Sequence, residues 1–481
     1  MTTWETVIGL EIHVQLATRS KIFSGASTAF GAEPNSQACP VDLALPGALP
    51  VLNEAAVRMA VTFGLAIGAE INRAPTFDRK NYFYPDLPKG YQITQFAEPI
   101  VGRGSILLPL QDGEVRRIGI TRAHLEEDAG KSLHEEYSGL TGIDLNRAGM
   151  PLLEIVSEPD LRSAAEATAY FRYFHALVRY LRICDGKLNE GSMRCDANVS
   201  LRPRGQETFG ERTEIKNLNS FRFLERAIKH EIDRQQDLLE AGHEVVRETR
   251  LYDSERDETR SMRSKEYSDD YRYFPEPDLL PVRIEESLIQ ELSQTLPELP
   301  EQKYQRYLDK FQLSANQAAW LINDPDTTVF FESLTKLSGE PRESANWIMG
   351  NLSAFLNKQE LGISRSPITP EQLAALIART RDGTISKNAA NRVFDRLCQK
   401  PDTSDVDSVI SELGLEQIND AGELDRIVQQ VLAENPEQVS QVKSGKEKVL
   451  GYLIGQVMQA SQGKANPKQV ADLLKSALER V

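Results

Sequence analysis

Two segments of this chain alternate apolar and ionisable residues with a period of two, and that period suits one local conformation. A β-strand turns successive side chains to opposite faces. In VIGLEIHVQL, residues 7–16, the residues Glu11, His13 and Gln15 therefore share one face, with Leu10, Ile12 and Val14 on the other. In IGITRAHLEEDAGK, residues 118–131, Arg122, His124, Glu126 and Asp128 share one face, with Ala123 and Leu125 behind them. Two strands carrying carboxylates and imidazoles in register can line a cation site. Carboxylates favour hard cations such as magnesium, and an imidazole shifts the preference towards manganese or zinc. The other reading is that these groups pair with arginines on an open sheet surface. Glu154, inside the apolar run GMPLLEIVSEPD, is a candidate to add a further carboxylate.

At 481 residues the chain has material for about three domains. No uninterrupted apolar run is long enough to span a membrane, and no basic-then-apolar leader stands at the N-terminus, so a cytoplasmic protein is expected. Cys39, Cys184, Cys195 and Cys398 are scattered without a CxxC pair, which supports neither a disulfide framework nor a thiolate zinc site. The net charge of −15 argues against an overall electrostatic grip on nucleic acid. The charge is uneven, however. Residues 401–440 hold ten acidic residues and one basic, a net of −9, whereas 441–481 hold seven basic and three acidic, a net of +4. A basic end on an acidic chain suits a polyanion partner, and equally a solvated helical face.

Residues 1 to about 290 read as mixed α+β, with strand-like runs punctuated by turn dipeptides such as Pro46-Gly47, Lys89-Gly90 and Asp112-Gly113. Ser163 and Glu166 predict a capping box ahead of a helix whose apolar positions Tyr170, Phe171, Phe174, Leu177, Val178 and Leu181 keep helical spacing. A second helix is expected from about Phe221 to Gly242. Beyond about 290 helix punctuation takes over: Ser314 with Gln317, and Thr369-Pro370 with Gln372, mark two helix starts. The polar stretch 400–408 reads as a linker. Asn435-Pro436 and Gly463 end helices in the tail, and Asn466-Pro467 starts the last one. The expected domains are 1–292, 293–407 and 408–481.

Further motifs carry polar chemistry. In FDRKNYFYPDLPKGYQITQ, Lys80 stands beside Tyr82, Phe83 and Tyr84, and Lys89 between Pro88 and Gly90 is expected at the tip of a type II turn. Lysines so displayed bind phosphate or an anionic intermediate as point charges; a tyrosine-rich hairpin with solvated lysines is the alternative. GSMRCDANVSLR and TEIKNLNSF place Glu214, Lys216 and Asn217 close to a helix start, where backbone amides favour anions. YRYFPEPDLLPV, around Asp278, is rigid and aromatic. Gly130-Lys131-Ser132 imitates the end of a P-loop, but Leu125 stands where its first glycine belongs, and acidic residues fill the loop. There is no GxSxG elbow, HExxH, dinucleotide fingerprint or glycine-serine-rich amidase stretch, and no N-terminal catalytic cysteine. Ammonia from an amide donor would have to be released by another polypeptide.

Taken together, VIGLEIHVQL, CPVDLALPGALPVLN, DRKNYFYPDLPKGYQ, HLEEDAGK, IDLNRAGMPLLEIVSEPD, GSMRCDANVSLRP, EIKNLNSF, YRYFPEPDL and GKANP resemble the GatB family, the B subunits of bacterial aspartyl/glutamyl-tRNA amidotransferases, over essentially the whole chain. The resemblance implies an α+β fold: a cradle-like N-terminal domain with antiparallel sheets, an all-α helical domain and a small helical YqeY-like tail domain, the last two contacting tRNA. It implies a heterotrimer with an amidase partner, the A subunit, which releases ammonia from glutamine, and with the small C subunit. It implies that ATP phosphorylates the side-chain carboxylate of glutamate (or aspartate) misloaded on tRNA(Gln) (or tRNA(Asn)), after which ammonia arriving through a channel displaces the phosphate. On this resemblance Glu11, His13, Glu126 and Glu154 would hold Mg2+, with Glu126 also in the catalytic set. Lys80, Lys89 and Asp278 match polar positions along the ammonia route or its mouth. One departure is visible: many members read CPVC where this chain has Cys39-Pro40-Val41-Asp42, so no zinc site is expected here. The SKNAANRVF run at 386–394 also departs from the more usual glycine-lysine version.

The rival from another functional class is a tRNA-binding scaffold without a catalytic step of its own. A scaffold has no use for Glu11, His13 and Glu126 side by side. The archaeal relative specific for tRNA(Gln) carries an inserted domain for which this chain has no room.

Overall fold

A computed structural model describes residues 3–110, 113–133, 139–264, 270–399, 405–417, 421–443, 448–461, 464–465 and 467–480. The chain divides into two compact units, Met1–Arg306 with Ala318–Pro325, and Tyr307–Gln317 with Asp326–Val481.

The first unit is built on an eight-stranded sheet. Its strands are β1 (Trp4–Gln15), β4 (Gly104–Pro109), β5 (Val115–Glu127), β8 (Pro151–Ser157), β9 (Met193–Pro203), β10 (Thr213–Leu218), β11 (Glu248–Asp253) and β12 (Glu258–Ser264). They lie in the order β12-β11-β10-β9-β1-β8-β5-β4, and every neighbouring pair is antiparallel except β10 with β11. The remaining strands form a three-stranded antiparallel sheet of β2 (Asp78–Asn81), β3 (Tyr91–Thr94) and β13 (Phe274–Pro275), and a pair, β6 (Lys131–Leu133) with β7 (Gly142–Asp144).

One face of the large sheet is apolar. Ile8, Leu10, Ile12 and Val14 of β1 are fully buried there in one cluster with Ile155, Ala123, Leu125, Cys195, Ala197 and Ile215 from the neighbouring strands. Three helices cover that face: α1 (Glu54–Ala66), α2 (Ala164–Tyr180) and α3 (Phe221–Glu240). In α2 the expected apolar positions Tyr170, Phe171, Phe174, Leu177 and Val178 are all fully buried. Ser163 caps it by accepting from the Glu166 N–H, but the Glu166 carboxylate accepts from the Arg162 N–H rather than from that of Ser163, so the box closes one residue early. Ser220 caps α3, which ends before Gly242, whose φ of +78° is the left-handed geometry that glycine adopts without cost. A fourth helix, α4 (Glu286–Thr295), packs on α1, and the Arg58–Glu291 ion pair joins them. The expected domain division at 292/293 falls inside α4.

In the second unit the described elements are all helical. Thr369 and Gln372 close the expected capping box, and Ser314 and Gln317 exchange the same two hydrogen bonds. Helix Val406–Leu413 packs on Pro370–Arg381 and Lys387–Gln399, where Arg379 grips both Asp407 oxygens at 2.6 and 2.7 Å, so the expected division at 407/408 falls within that helix. The last four helices, Ala421–Glu434, Pro436–Lys443, Lys448–Ala460 and Pro467–Arg480, close on a core of Leu424, Val428, Val431, Leu453, Val457, Val470 and Leu474. Asn435-Pro436 separates two of these helices as expected. Asp112, Gly463, Asn466 and most of the expected linker (400–404) lie outside the described residues. Among the described residues no helix is long and apolar enough to cross a membrane.

Candidate active site

The other face of the large sheet is where the ionisable residues collect. The register sets Arg194 of β9, His13 of β1, Glu154 of β8 and His124 of β5 side by side in one row across four strands. Directly opposed side chains on one face stand close enough to interact. His13 Nε2 lies 3.4 Å from a Glu154 oxygen and 3.8 Å from a Glu126 oxygen; His124 Nε2 lies 3.5 Å and 3.7 Å from the same two carboxyl groups. Ligand atoms of His13, Glu126 and Glu154 all fall within 4.8 Å of one another. Thr94 Oγ1 donates to Glu126 at 3.3 Å, while the buried Nδ1 of His124 has no hydrogen-bond partner among the described residues.

The electrostatics follow from this crowding. Burial by itself would disfavour the His13 imidazolium, but the Glu154 and Glu126 carboxylates outweigh it and hold its pKa at about 9. Burial opposes ionisation of Glu154 too, yet His124, His13 and Lys80 hold that carboxyl well below the usual range. Lys80, on β2, faces the same acids. Burial works against its charge, and the Glu126 and Glu154 carboxylates more than compensate, raising its pKa above the ordinary value. Its Nζ sits 4.8 Å from the Tyr271 ring centroid and makes no ion pair among the described residues. His13, Glu126 and Lys80 line a cavity of about 350 Å³ together with Asp128, Arg194, Asp196 and Lys216, and Glu154 and His124 sit beside it without lining it. A histidine and two carboxylates around one point make a donor set suited to a divalent cation, and the adjoining lysine suits an anion bound beside it.

Three expected residues lie elsewhere. Glu11 is on the same face, two positions before His13, but it is outside the three-residue group and accepts instead from Asn198 Nδ2 at 3.0 Å. Burial and the nearby Glu154, Glu214 and Asp196 carboxylates raise its pKa. Lys89 does not project from a turn tip. Its side chain is 11% exposed and turns inward to the buried Glu127, with Nζ 2.6 Å from Oε2. Glu127 also accepts from the Ile93 N–H at 2.9 Å; burial raises its pKa in spite of Lys89. The physical reason is that a buried carboxylate needs a cation, and the Leu87–Gly90 turn brings Lys89 within reach of it. Asp278 lies 3.3 Å from Arg79, which holds Glu276 through two hydrogen bonds of 2.8 Å. Neither Lys89 nor Asp278 lines the His13 cavity.

Sequence reasoning missed Arg194 and Asp196 as site residues, and placed Lys216 only near a helix start. Lys216 Nζ is 2.8 Å from Asp196 and 3.1 Å from Glu214, and Arg194 is 3.0 Å from Asp128. The signal for the first two was present, since Arg194, Asp196, Asn198 and Ser200 alternate just as Glu11 and His13 do. The side chain of Asn217 lies outside what is described. At the departure from CPVC, Asp42 accepts from the Cys39 N–H and the Ser24 hydroxyl, both at 2.8 Å, and pairs at 3.5 Å with the fully buried Lys21. Gly149 makes room for it: φ is +78°, and a Cβ there would stand 2.5 Å from Asp42 Oδ1.

Comparison with known proteins agrees along the whole chain. Residues 6–290 match the GatB/GatE catalytic domain family and residues 329–478 match the GatB domain family. The chain is 59% identical over 477 residues to the B subunit of the aspartyl/glutamyl-tRNA(Asn/Gln) amidotransferase of Alkalilimnicola ehrlichii, covering 99% of each chain. The proteins of the same name from Azotobacter vinelandii (59% over 480 residues) and Halorhodospira halophila (58% over 477) are covered to the same extent, 99% of each chain.

Proposed function

The chain belongs to the GatB family, and from that premise we propose that the cavity beside His13 is the activation site of a tRNA-dependent amidotransferase. In this reading the chain is the B subunit of a heterotrimeric ligase, with an amidase and a small third protein as its partners, acting in the cytoplasm. ATP phosphorylates the side-chain carboxylate of glutamate (or aspartate) carried on tRNA(Gln) (or tRNA(Asn)), and ammonia from the amidase then displaces the phosphate to form the amide.

The observation that carries this reading is the convergence of His13, Glu126 and Glu154 within 4.8 Å beside Lys80, which makes no ion pair among the described residues. A carboxylate is a poor acyl donor because its leaving group is poor. In the first step a carboxylate oxygen bonds to the γ-phosphorus as the bond to ADP breaks. In the second the ammonia nitrogen bonds to the acyl carbon, phosphate departs, and the nitrogen loses its surplus proton. His13, Glu126 and Glu154 would hold a divalent cation, Mg2+ in this reading, which supplies charge neutralisation for phosphoryl transfer. Lys80 binds and orients the anionic oxygens from the opposite side of the cavity. Lys89 and Asp278, paired with Glu127 and Arg79, are assigned to the ammonia route.

Reconstitution with the amidase and the small third protein, ATP and each mischarged tRNA in turn tests the reading. His13→Ala or Glu126→Ala is expected to abolish amide formation and leave tRNA affinity within about twofold. Normal amide formation by either variant would return the chain to the scaffold role.

A further inference from the structure

Among the described residues of the first unit most arginines are held by carboxylates, and a few at the β4 edge of the large sheet are not. The neighbours Arg116 and Arg117 show the contrast. Arg116 turns to the helix-covered face and pairs with Glu166 of α2 at 2.6 Å. Arg117 turns the other way: Ile118 and Ile120 belong to the apolar face, so Arg117 and Gly119 occupy the polar one. A bulge between Ile120 and Arg122 then keeps Arg122, His124 and Glu126 on that same face. Arg117 Nε donates to Ser105 Oγ at 3.0 Å, and both its Nη groups are without a partner among the described residues. Arg103, Ser105 and Arg117 line a cavity of about 470 Å³, floored in part by Gly104 and Gly119. Arg103 is exposed and makes no ion pair or side-chain hydrogen bond among the described residues. Asp160 lines the cavity too, but its carboxylate accepts from the Gly119 N–H at 2.8 Å and reaches neither arginine within ion-pair distance. On a chain of net charge −15 acids are plentiful, so arginines left without one at β4 and β5 point to a negative partner from outside.

A row of aromatic rings joins this edge to the activation site. Arg122 makes no ion pair among the described residues, and its guanidinium lies 5.7 Å from the Phe96 ring centroid. Phe96 is 46% exposed and stacks on Tyr273, with centroids 4.1 Å apart and planes 9° from parallel. Tyr273 meets Tyr271 at 5.9 Å, and Lys80 Nζ stands 4.8 Å from the Tyr271 ring. Cations and rings therefore follow one another from the Arg117 cavity to the His13 cluster. Along β5 the run from Arg117 to His124 is roughly 20 Å at the ordinary strand rise.

We infer that this track holds the unpaired 3′ strand of the charged tRNA, with phosphates on Arg103, Arg117 and Arg122, a base against Phe96 and the acylated end at Lys80. A positive groove interleaved with aromatic rings suits single-stranded nucleic acid, because every link carries a charge and every base has a face to stack. Arginine in addition matches phosphate geometry with two parallel donors. A paired helix covers its bases and would leave Phe96 without a role. The track does what the cation cluster and Lys80 do not: it fixes the strand whose end carries the reacting carboxylate, and so brings that carboxylate to the cluster in one orientation. The inference rests on the reading that the cavity beside His13 activates an aminoacyl-tRNA.

A nucleoside triphosphate shares this chemistry, so the test separates the two. The assembled heterotrimer is titrated across a salt series with intact tRNA and with the same tRNA trimmed of its unpaired 3′ nucleotides, and a fluorescent, non-hydrolysable ATP analogue is titrated in parallel. The unaltered complex is expected to bind the intact tRNA more tightly than the trimmed one. Arg103→Gln, Arg117→Gln and Arg122→Gln are each expected to weaken binding of the intact tRNA several-fold. Each should also lower the slope of log affinity against log salt by about 0.7, the value for one single-strand phosphate contact. Phe96→Leu, apolar but without a stacking face, is expected to cost about tenfold with the slope unchanged. None of the four should alter binding of the trimmed tRNA or of the analogue. Arg103 and Arg117 are both exposed, so their variants decide the matter even where Arg122→Gln lowers the melting temperature. Unchanged affinity for intact tRNA in all four variants, or equal losses with the trimmed tRNA, overturns the track and leaves the activation reading standing. Weakened analogue binding with tRNA affinity intact assigns the track to the triphosphate and likewise overturns the inference. Failure of the unaltered heterotrimer to amidate any mischarged tRNA overturns the activation reading and this inference together.

Discussion

Proton and cation compete for His13, and the size of that competition can be worked from the structure. The Glu154 and Glu126 carboxylates hold the imidazolium pKa at about 9 against the opposing effect of burial, and the side chain retains only 19% exposure. At about pH 7 the metal-free site is therefore protonated, and a cation must expel that proton before Nε2 can donate its lone pair. Each pKa unit is worth roughly 1.4 kcal/mol, so binding at about pH 7 is weaker by roughly 3 kcal/mol, on the order of a hundredfold, than at a pH well above the His13 pKa. The sign is fixed: affinity rises about tenfold per pH unit through this range and levels off above the His13 pKa. Mn2+ serves as a paramagnetic probe, titrated into the assembled complex between about pH 6.5 and 9.5. Calorimetry in buffers of different ionisation enthalpy should count about one proton released per ion at neutral pH. His13→Gln keeps a polar group but no titrating proton, so it should bind more weakly and lose the slope. An affinity flat with pH in the unaltered protein would refute the argument, because it would mean that no proton leaves His13 on binding.

Two further outcomes follow from the same structure. Lys89→Met strands Glu127 in the interior with the Ile93 N–H as its remaining donor, which should cost about 3–5 kcal/mol; thermal denaturation should show the loss, and the double variant Lys89→Met/Glu127→Gln should recover most of it, whereas equal stability in the single variant would mean the pair is solvated. Removing residues 421–481 takes away the basic tail with its own core, and should weaken tRNA binding and flatten its salt dependence; unchanged affinity across a salt series would refute the role given to that tail.

The period of two in VIGLEIHVQL and IGITRAHLEEDAGK was enough to place His13, His124 and Glu126 on polar strand faces, because the face on which a strand side chain sits is a local property. Helix limits were legible for the same reason: Thr369, Ser314 and Gly242 act on backbone groups within a turn of themselves. Charge alternation in MRCDANVS carried the same kind of signal, and there it went unused.

Partnership between distant segments was not written locally. That β8 lies between β1 and β5, so that Glu154 falls between His13 and His124, is a matter of strand order, which no spacing within one segment records. The turn at Lys89 reads as exposed until the burial of Glu127, a residue of another strand, draws the lysine inward. Glu11 has the same alternation as His13, yet it meets Asn198 of β9 while His13 meets Glu154 of β8. Sequence alone determined which residue types face together along each strand, since that depends on backbone geometry. Only the tertiary structure decided which of them share one cavity, since that depends on long-range pairing and on which charges burial forces together.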